Sequence, residues 1–242
     1  MSVRCLLMDI EGTITPIAFV RQVLFPYAKS RLTSFLRANR EDYTVRKSVA
    51  SCLETAAQEN GGHADEEALP AILAKWIDED RKHPGLKVLQ GLIWDEGYRT
   101  GAFAPELYED VLPALLQWQE QGVCLALYSS GSEHAQRLLM AHTTDGDVTR
   151  LFTEFFDTRV GPKTDPASYA KIAGKLGLPP GAILFLSDSE TELDAAAAAA
   201  FKTLQIVRPG TAVTARHPAR TSFAGLDLNA VLNGSSYTPH TK

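Results

Sequence analysis

The chain has 242 residues, a formal charge of −5 and an apolar content of 45%. That composition excludes a disordered or collagen-like chain, and no apolar run approaches the roughly 20 residues of a membrane-spanning helix. The acidic balance argues against a nucleic acid or an anionic membrane as partner, and a chain of this length buries a sizeable core without covalent staples.

Val3–Ile10 (VRCLLMDI) is an apolar run that ends in an acid and then Glu11-Gly12-Thr13. It reads as a buried strand emptying into a turn. From Pro16 to about His83 the pattern changes: Arg21–Arg37, Tyr43–Asn60 and Asp65–Arg81 carry apolar residues at helical spacing. Gly61-Gly62 and Pro84-Gly85 read as breaks, and helical character continues through Leu86–Gly101. Pro105–Gln121 predicts a helix closed by Gly122. Val123–Tyr128 (VCLALY) predicts a strand, followed by Ser129-Ser130-Gly131-Ser132 and a helix from Glu133. Phe155–Val160 reads as a short strand and Pro166–Leu176 as a helix closed by Gly177. Ala182–Leu186 predicts a strand before Ser187-Asp188-Ser189-Glu190, with an alanine-rich helix through Ala200 and a last strand at Lys202–Val207. The polar end from Gly234 is expected to fray.

Strands alternating with helices imply an α/β fold: a Rossmann-like parallel sheet with helices on both faces. An all-helical cap is expected as an insertion after the first strand. The expected division is a core of residues 1–15 and 103–233, a cap of 16–102 and a tail of 234–242. The three cysteines, Cys5, Cys52 and Cys124, form no CxxC pair, which suggests neither a disulfide framework nor a zinc site. Cys5 and Cys124 sit in apolar runs as small core residues. The N-terminus lacks the pattern of a secretory signal, so a cytoplasmic location is expected.

Ligands of such sheets bind at the carboxyl ends of the strands. Those ends supply Asp9 and Glu11, then Ser129 and Ser130, then Asp188, with Lys163 in a loop before a helix. Acids converging with one lysine and two hydroxyls suit an anionic ligand and a hard divalent cation. Mg²⁺ takes one or two carboxylates plus phosphate oxygens and water, and oxygen ligands suit Mn²⁺ as well. An Asp can also attack phosphorus. Ser130 with Glu133, and Ser189 with Glu192, form S-x-x-E patterns that read equally as capping boxes. Ser130 and Glu192 therefore stand open between cap and site. Asp165-Pro166 reads as an N-cap and first-turn proline. A lysine beside that helix start opposes the helix dipole, which points Lys163 toward function. His134, beside the serine turn, reads as ordinary helix surface, and Asp194 as a solvated helix charge.

Asp9-Ile10-Glu11-Gly12-Thr13 resembles the DxDGT signature of the haloacid dehalogenase-like hydrolases, with Glu11 in place of the second Asp. In that family a second strand ends in Ser or Thr, a Lys follows before a helix, and a later strand ends in acids. Ser129, Lys163 and Asp188 fall in that order. The strings DIEGTITPIAFV, LQGLIWDEGY, LYSSGS, GPKTDPASY and FLSDSETELDAA narrow the resemblance to the enolase-phosphatases of methionine salvage, the acireductone synthases. The resemblance implies that 2,3-diketo-5-methylthiopentyl-1-phosphate is enolised and then dephosphorylated to acireductone, with one Mg²⁺ per subunit. It implies Asp9 as nucleophile and metal ligand, Glu11 as acid/base and as a metal ligand through its carbonyl, and Asp188 as completing the metal site. Ser129, Ser130 and Lys163 would hold phosphate or substrate oxygens, and Glu192 matches a further acid of some relatives. Trp94 and Tyr98, four apart in the expected cap, either line a pocket for the methylthio end or form cap core. A monomer is expected. Two other readings remain at this point: a phosphatase of another small ester, and a non-catalytic sensor on the same fold.

Overall fold

The computed structural model describes residues 2–59, 62, 64–213 and 215–228. The expected tail at 234–242 lies outside these. In chain order the elements are β1 (Cys5–Met8), α1 (Ile17–Phe19), a π-helical turn (Val20–Leu24), α2 (Phe25–Ala38), α3 (Tyr43–Glu59), α4 (Leu69–Asp78) and α5 (Pro84–Arg99). They continue with α6 (Val111–Glu120), β2 (Cys124–Tyr128), α7 (Glu133–Ala141), β3 (Glu154–Phe156) and α8 (Pro166–Leu176). The last are β4 (Ile183–Ser187), α9 (Glu190–Ala198), β5 (Lys202–Ile206) and β6 (Ala219–Arg220). Two compact units result, one from Met1–Ile17 with Pro105–Lys242 and one from Ala18–Ala104.

The first unit is built on a sheet ordered β3-β2-β1-β4-β5-β6. Every pair is parallel, with Met8 opposite Leu127 on one side and Leu186 on the other. Its central strands are apolar up to their carboxyl ends because both faces are covered. Leu6, Met8, Leu127 and Leu186 meet Val111, Leu115 and Trp118 of α6 and Leu139 and Met140 of α7 on one face. Leu7, Ala126, Tyr128 and Phe185 meet Tyr169 and Ile172 of α8 and Leu193 and Ala196 of α9 on the other. The α/β expectation with helices on both faces therefore holds. The strand order reverses at β1, and the crevice beyond the carboxyl ends of β1 and β4 is where such sheets take ligands.

Two boundaries and one short strand differ from expectation. The strand expected at Phe155–Val160 ends at Phe156, because the Asp157 carboxylate accepts from the Arg159 and Glu133 amides at 2.9 and 3.0 Å and turns the chain. The helix expected from Pro105 starts at Val111. Its N-cap carboxylate, Asp110, is drawn to Arg208 and Ser222 rather than to the helix's own amides. Strand β6 escaped the sequence reading because two residues carry no periodic signal.

The second unit is helical. Pro84-Gly85, expected as a break, instead opens α5. Pro84 takes a first-turn position where its missing N–H costs nothing. Gly85 lies so close to α3 that a Cβ would stand 2.7 Å from the Ser48 carbonyl oxygen. The π turn, also unforeseen, immediately precedes Phe25-Pro26 and closes with the Phe25 amide bonded to the Val20 carbonyl. A proline ring clashes with the carbonyl four residues back in a regular helix, and a π turn is a common way to absorb such an interruption.

His83 caps α5 as an acceptor: its Nδ1 receives the Gly85 and Leu86 amides at 3.1 and 3.4 Å. Only the neutral imidazole can do so. Burial, and secondarily the Arg81 charge, lowers the His83 pKa from its ordinary 6.5. Below the unfolded pKa the unfolded chain takes up a proton that the folded histidine resists, so this contribution to stability is present above about pH 6.5 and declines as pH falls through and below it. Hydrogen exchange at Gly85 and Leu86 should accelerate from pH 7.5 to pH 5.5 beyond the intrinsic chemical trend, and His83→Asn, which keeps an acceptor but not the titration, should abolish that excess.

Candidate active site

Because β1, β2 and β4 run parallel, their carboxyl ends open together: Asp9 follows Met8, level with Tyr128 and Ser187, and Ser129 and Asp188 come one residue beyond. Asp9 is buried. One carboxylate oxygen accepts from Lys163 Nζ and the other lies 3.5 Å from Thr13 Oγ1. Lys163 is itself 7% exposed and reaches Glu192 Oε2 at 2.6 Å. Burial alone would discharge this lysine; Asp9 and Glu192 outweigh it and hold its pKa above the usual value.

The lysine arrives on a pinned loop. Tyr169 donates its hydroxyl hydrogen to the Lys163 carbonyl at 2.7 Å, and Tyr128 donates to the Gly161 carbonyl at 2.9 Å. Asp165 caps α8 through the Ala167 amide, with Pro166 in the first turn and Gly177 left-handed at the end, all as expected.

Glu11 turns toward β2, with Ser129 Oγ at 3.0 and 3.2 Å from its two oxygens. Ser129 also accepts the Gly131 amide at 3.0 Å, which fixes the hydroxyl hydrogen toward the glutamate. Burial, then the charge of Asp9, raises the Glu11 pKa against the pull of Lys163. Asp188 rises to about 6 through burial and the charge of Asp9. Glu192 rises to about 7 for the same two reasons. Four carboxylates thus crowd one ammonium, an excess of negative charge that a hard dication would relieve.

Gly12, at φ +83°, makes this crowding possible: a Cβ there would stand 2.5 Å from Asp188 Oδ2. Among the described residues no three acid, histidine or cysteine side chains close on a common point by themselves. The expected set of Asp9, the Glu11 carbonyl and Asp188 does not require that, since its third ligand is a main-chain oxygen. Two carboxylates with a peptide oxygen, completed by phosphate and water, are donors Mg²⁺ accepts.

Two open readings now close. Ser132, not Ser130, caps α7, its extended backbone letting Oγ accept the Ala135 amide at 3.2 Å. Ser130 is half-buried in the turn between Ser129 and that cap. Ser189 stands at the N-cap of α9 without a side-chain cap bond, and Glu192 bonds Ser187 Oγ at 3.0 Å and Lys163 instead of closing a box. The capping box fails at Ser130 because the helix starts two residues later, with Ser132 as cap, and at Ser189 because Lys163 draws Glu192 away from a neutral amide. Asp194 is also not merely solvated: His217 Nε2 lies 2.9 Å from it and Arg216 pairs with it. His134 is exposed, as expected.

Trp94 and Tyr98 belong to the interior of the helical unit. The Trp94 indole donates to the Leu24 carbonyl at 2.8 Å and its ring stacks on Phe25. Tyr98 meets the Phe103 ring edge-on at 4.7 Å.

Thr13 and Gln205 were missed as site residues. Thr13 Oγ1 faces Asp9 and accepts the Asp188 amide at 3.0 Å. Buried Gln205 of β5 donates to the Asp188 carbonyl at 3.1 Å. A polar residue inside the otherwise apolar end of β5 was the available signal.

The model of the family described as haloacid dehalogenase-like hydrolase matches residues 3–200. Enolase-phosphatase E1 of Methylococcus capsulatus is 48% identical over 229 residues, covering 95% of this chain and 97% of that protein. The protein of the same name from Aquifex aeolicus is 42% identical over 226 residues, covering 93% and 100%. Among solved structures, the UTR4 protein of Saccharomyces cerevisiae matches with a TM-score of 0.74 and 31% identity, covering 93% of this chain and 100% of that one. CbbY of Rhodobacter sphaeroides shares the fold at a TM-score of 0.62 and 18% identity, covering 96% and 99%.

Proposed function

We infer that this chain, which belongs to the haloacid dehalogenase-like hydrolases and within them to the Enolase-phosphatase E1 family, converts 2,3-diketo-5-methylthiopentyl-1-phosphate to acireductone and phosphate. The observation that carries the reading is Asp9: a buried carboxylate at the strand-order switch point, held by Lys163 and faced by Thr13.

In the phosphatase step Asp9 attacks phosphorus as the ester P–O bond breaks and the leaving oxygen takes a proton from Glu11. Water, giving its proton to Glu11, then attacks the aspartyl-phosphate, which frees phosphate and restores the Asp9 carboxylate. Lys163 balances the charge of nucleophile and phosphate, while Ser129 and Ser130 stand at the next strand end to meet substrate oxygens. Glu192 keeps the lysine aimed by pairing with its ammonium at 2.6 Å. One Mg²⁺ per subunit, held by Asp9, the Glu11 carbonyl and Asp188, would supply Lewis-acid polarisation of carbonyl and phosphoryl oxygens. A single chain supplies every group, so a monomer suffices. Among the described residues no helix is long and apolar enough to cross a membrane.

Enolisation needs a base for a proton next to a carbonyl. Glu11 fills that role: burial and the charge of Asp9 raise its pKa above the ordinary carboxylate value, which makes it a stronger base once ionised, and its side chain extends one methylene further than an Asp. The test follows ultraviolet enol absorbance and phosphate release in parallel, with the diketo phosphate and Mg²⁺. Wild type should give both signals. Glu11→Asp should slow the enol signal by on the order of 10²-fold, and full rates in both steps would refute Glu11 as base. Phosphate release from simple esters without any enolisation would instead leave a haloacid dehalogenase-type phosphatase of another substrate. Binding of phosphate ligands with no turnover would point to a sensor.

A further inference from the structure

Arg208 follows β5 and is buried, 7% exposed. Its guanidinium grips two segments that are far apart in sequence. Nη1 donates to both Asp110 oxygens at 2.9 and 3.0 Å, while Nε donates to the main-chain oxygen of Thr13 at 3.2 Å. The guanidinium carbon lies 4.1 Å from the centre of the Tyr108 ring, and the Tyr108 amide donates to the Ile14 carbonyl at 3.0 Å. Asp110 is fixed in turn by Ser222 Oγ at 3.0 Å and by the Phe223 amide. The turn after β1 is thus clamped from behind by groups that precede α6 and follow β5.

The clamped residue is the one whose hydroxyl links the Asp9 carboxylate to the main chain of Asp188. Thr13 Oγ1 lies against Asp9 Oδ2 and accepts the Asp188 amide at 3.0 Å. We propose that Arg208 is a positioning residue for phosphoryl transfer: it holds the Thr13 carbonyl so that the Thr13 hydroxyl keeps Asp9 and Asp188 in register. A buried ion pair is by itself a weak source of stability. Arg208 spends one donor on the loop instead of giving its whole fork to Asp110, and that division assigns it to the geometry of the turn.

The proposal rests on the phosphatase reading, though not on the identity of the substrate. Its test therefore uses the full chain with Mg²⁺ and a generic ester, p-nitrophenyl phosphate. Arg208→Lys keeps a cation for Asp110 but, as a point donor, cannot also reach Thr13 in the same fork geometry. Its kcat should fall at least about tenfold, as displaced catalytic groups lose rate steeply, while KM moves by less than about twofold. Because Arg208 acts through Thr13, the double variant Arg208→Lys/Thr13→Ala should be no slower than Thr13→Ala alone. A purely structural arginine would give losses that multiply, and that result overturns the proposal, as does wild-type kcat in the lysine variant. Arg208→Gln provides a second variant for the same cycle, and a glutamine variant that fails to fold leaves the lysine cycle decisive. Wild-type protein that hydrolyses neither this ester nor the diketo phosphate refutes the phosphatase reading and the proposal with it.

Discussion

Asn in place of Asp9 should abolish phosphate release while the protein still folds and binds its substrate. The amide oxygen can accept from Lys163 while the amide nitrogen donates to Thr13 Oγ1, so the buried polar groups stay paired. What disappears is the nucleophile and one anionic metal ligand. Loss of a covalent nucleophile costs on the order of 10³- to 10⁶-fold in kcat. Phosphate release under single-turnover conditions checks this, with a thermal unfolding curve as the fold control. The enol signal separates the two steps: if Glu11 is the base, enol should still accumulate in Asp9→Asn, now without phosphate. Unimpaired phosphate release would remove Asp9 from the chemistry altogether.

Lys163→Met should be the most damaging change to stability, and it should also slow turnover. The lysine sits between Asp9 and Glu192 with its side chain 6% exposed. Methionine has a similar shape, so packing is kept while two carboxylates lose their counter-charge. Breaking a buried pair this way costs about 3–5 kcal/mol, and loss of a charge aimed at the reacting group costs about 10²- to 10³-fold in kcat.

The stability loss should depend on pH with a definite sign. Even with the lysine present, burial and then Asp9 lift Glu192 to about 7, above its ordinary 4.5. A carboxyl whose folded pKa exceeds its unfolded pKa favours folding when protonated, and that advantage is lost as pH rises through about 4.5 to 7. Removing Lys163 takes away the positive charge that opposes this rise. The gap in unfolding free energy between wild type and Lys163→Met should therefore widen from pH 5 to pH 8. A gap that is constant, or that narrows toward pH 8, would show that the ammonium is not what makes this cluster tolerable.

Much of this architecture was legible from residue pattern alone. VRCLLMDI, VCLALY and AILFL announce buried parallel strands because both faces of such strands are covered. Each ends in a polar residue where a parallel sheet opens to solvent. Asp165-Pro166 and Gly177 bracket α8 because capping chemistry is local. Asp9, Ser129, Lys163 and Asp188 were nameable for the same reason: each follows directly from a strand or precedes a capped helix.

Tertiary structure decided the rest wherever two partners compete for one side chain. S-x-x-E at Ser189 is a sound local signal, yet Glu192 goes to a lysine from another element, since a buried ammonium outbids a neutral amide. Asp110 stands at a helix start but serves Arg208, and the helix expected from Pro105 begins late. Pro84-Gly85 reads as a break until a histidine cap and a closely packed neighbouring helix turn it into a beginning. Trp94 and Tyr98 share a helix face by spacing, but only packing shows that face turned into the helical unit's interior. Local sequence determines what chemistry an element's ends carry, and where the element starts when no distant partner competes for the cap, because those effects act within one turn or one strand pair. Which charge meets which is set by residues as far apart as Asp9 and Lys163, or Thr13 and Arg208, and only the folded sheet brings them within bonding distance.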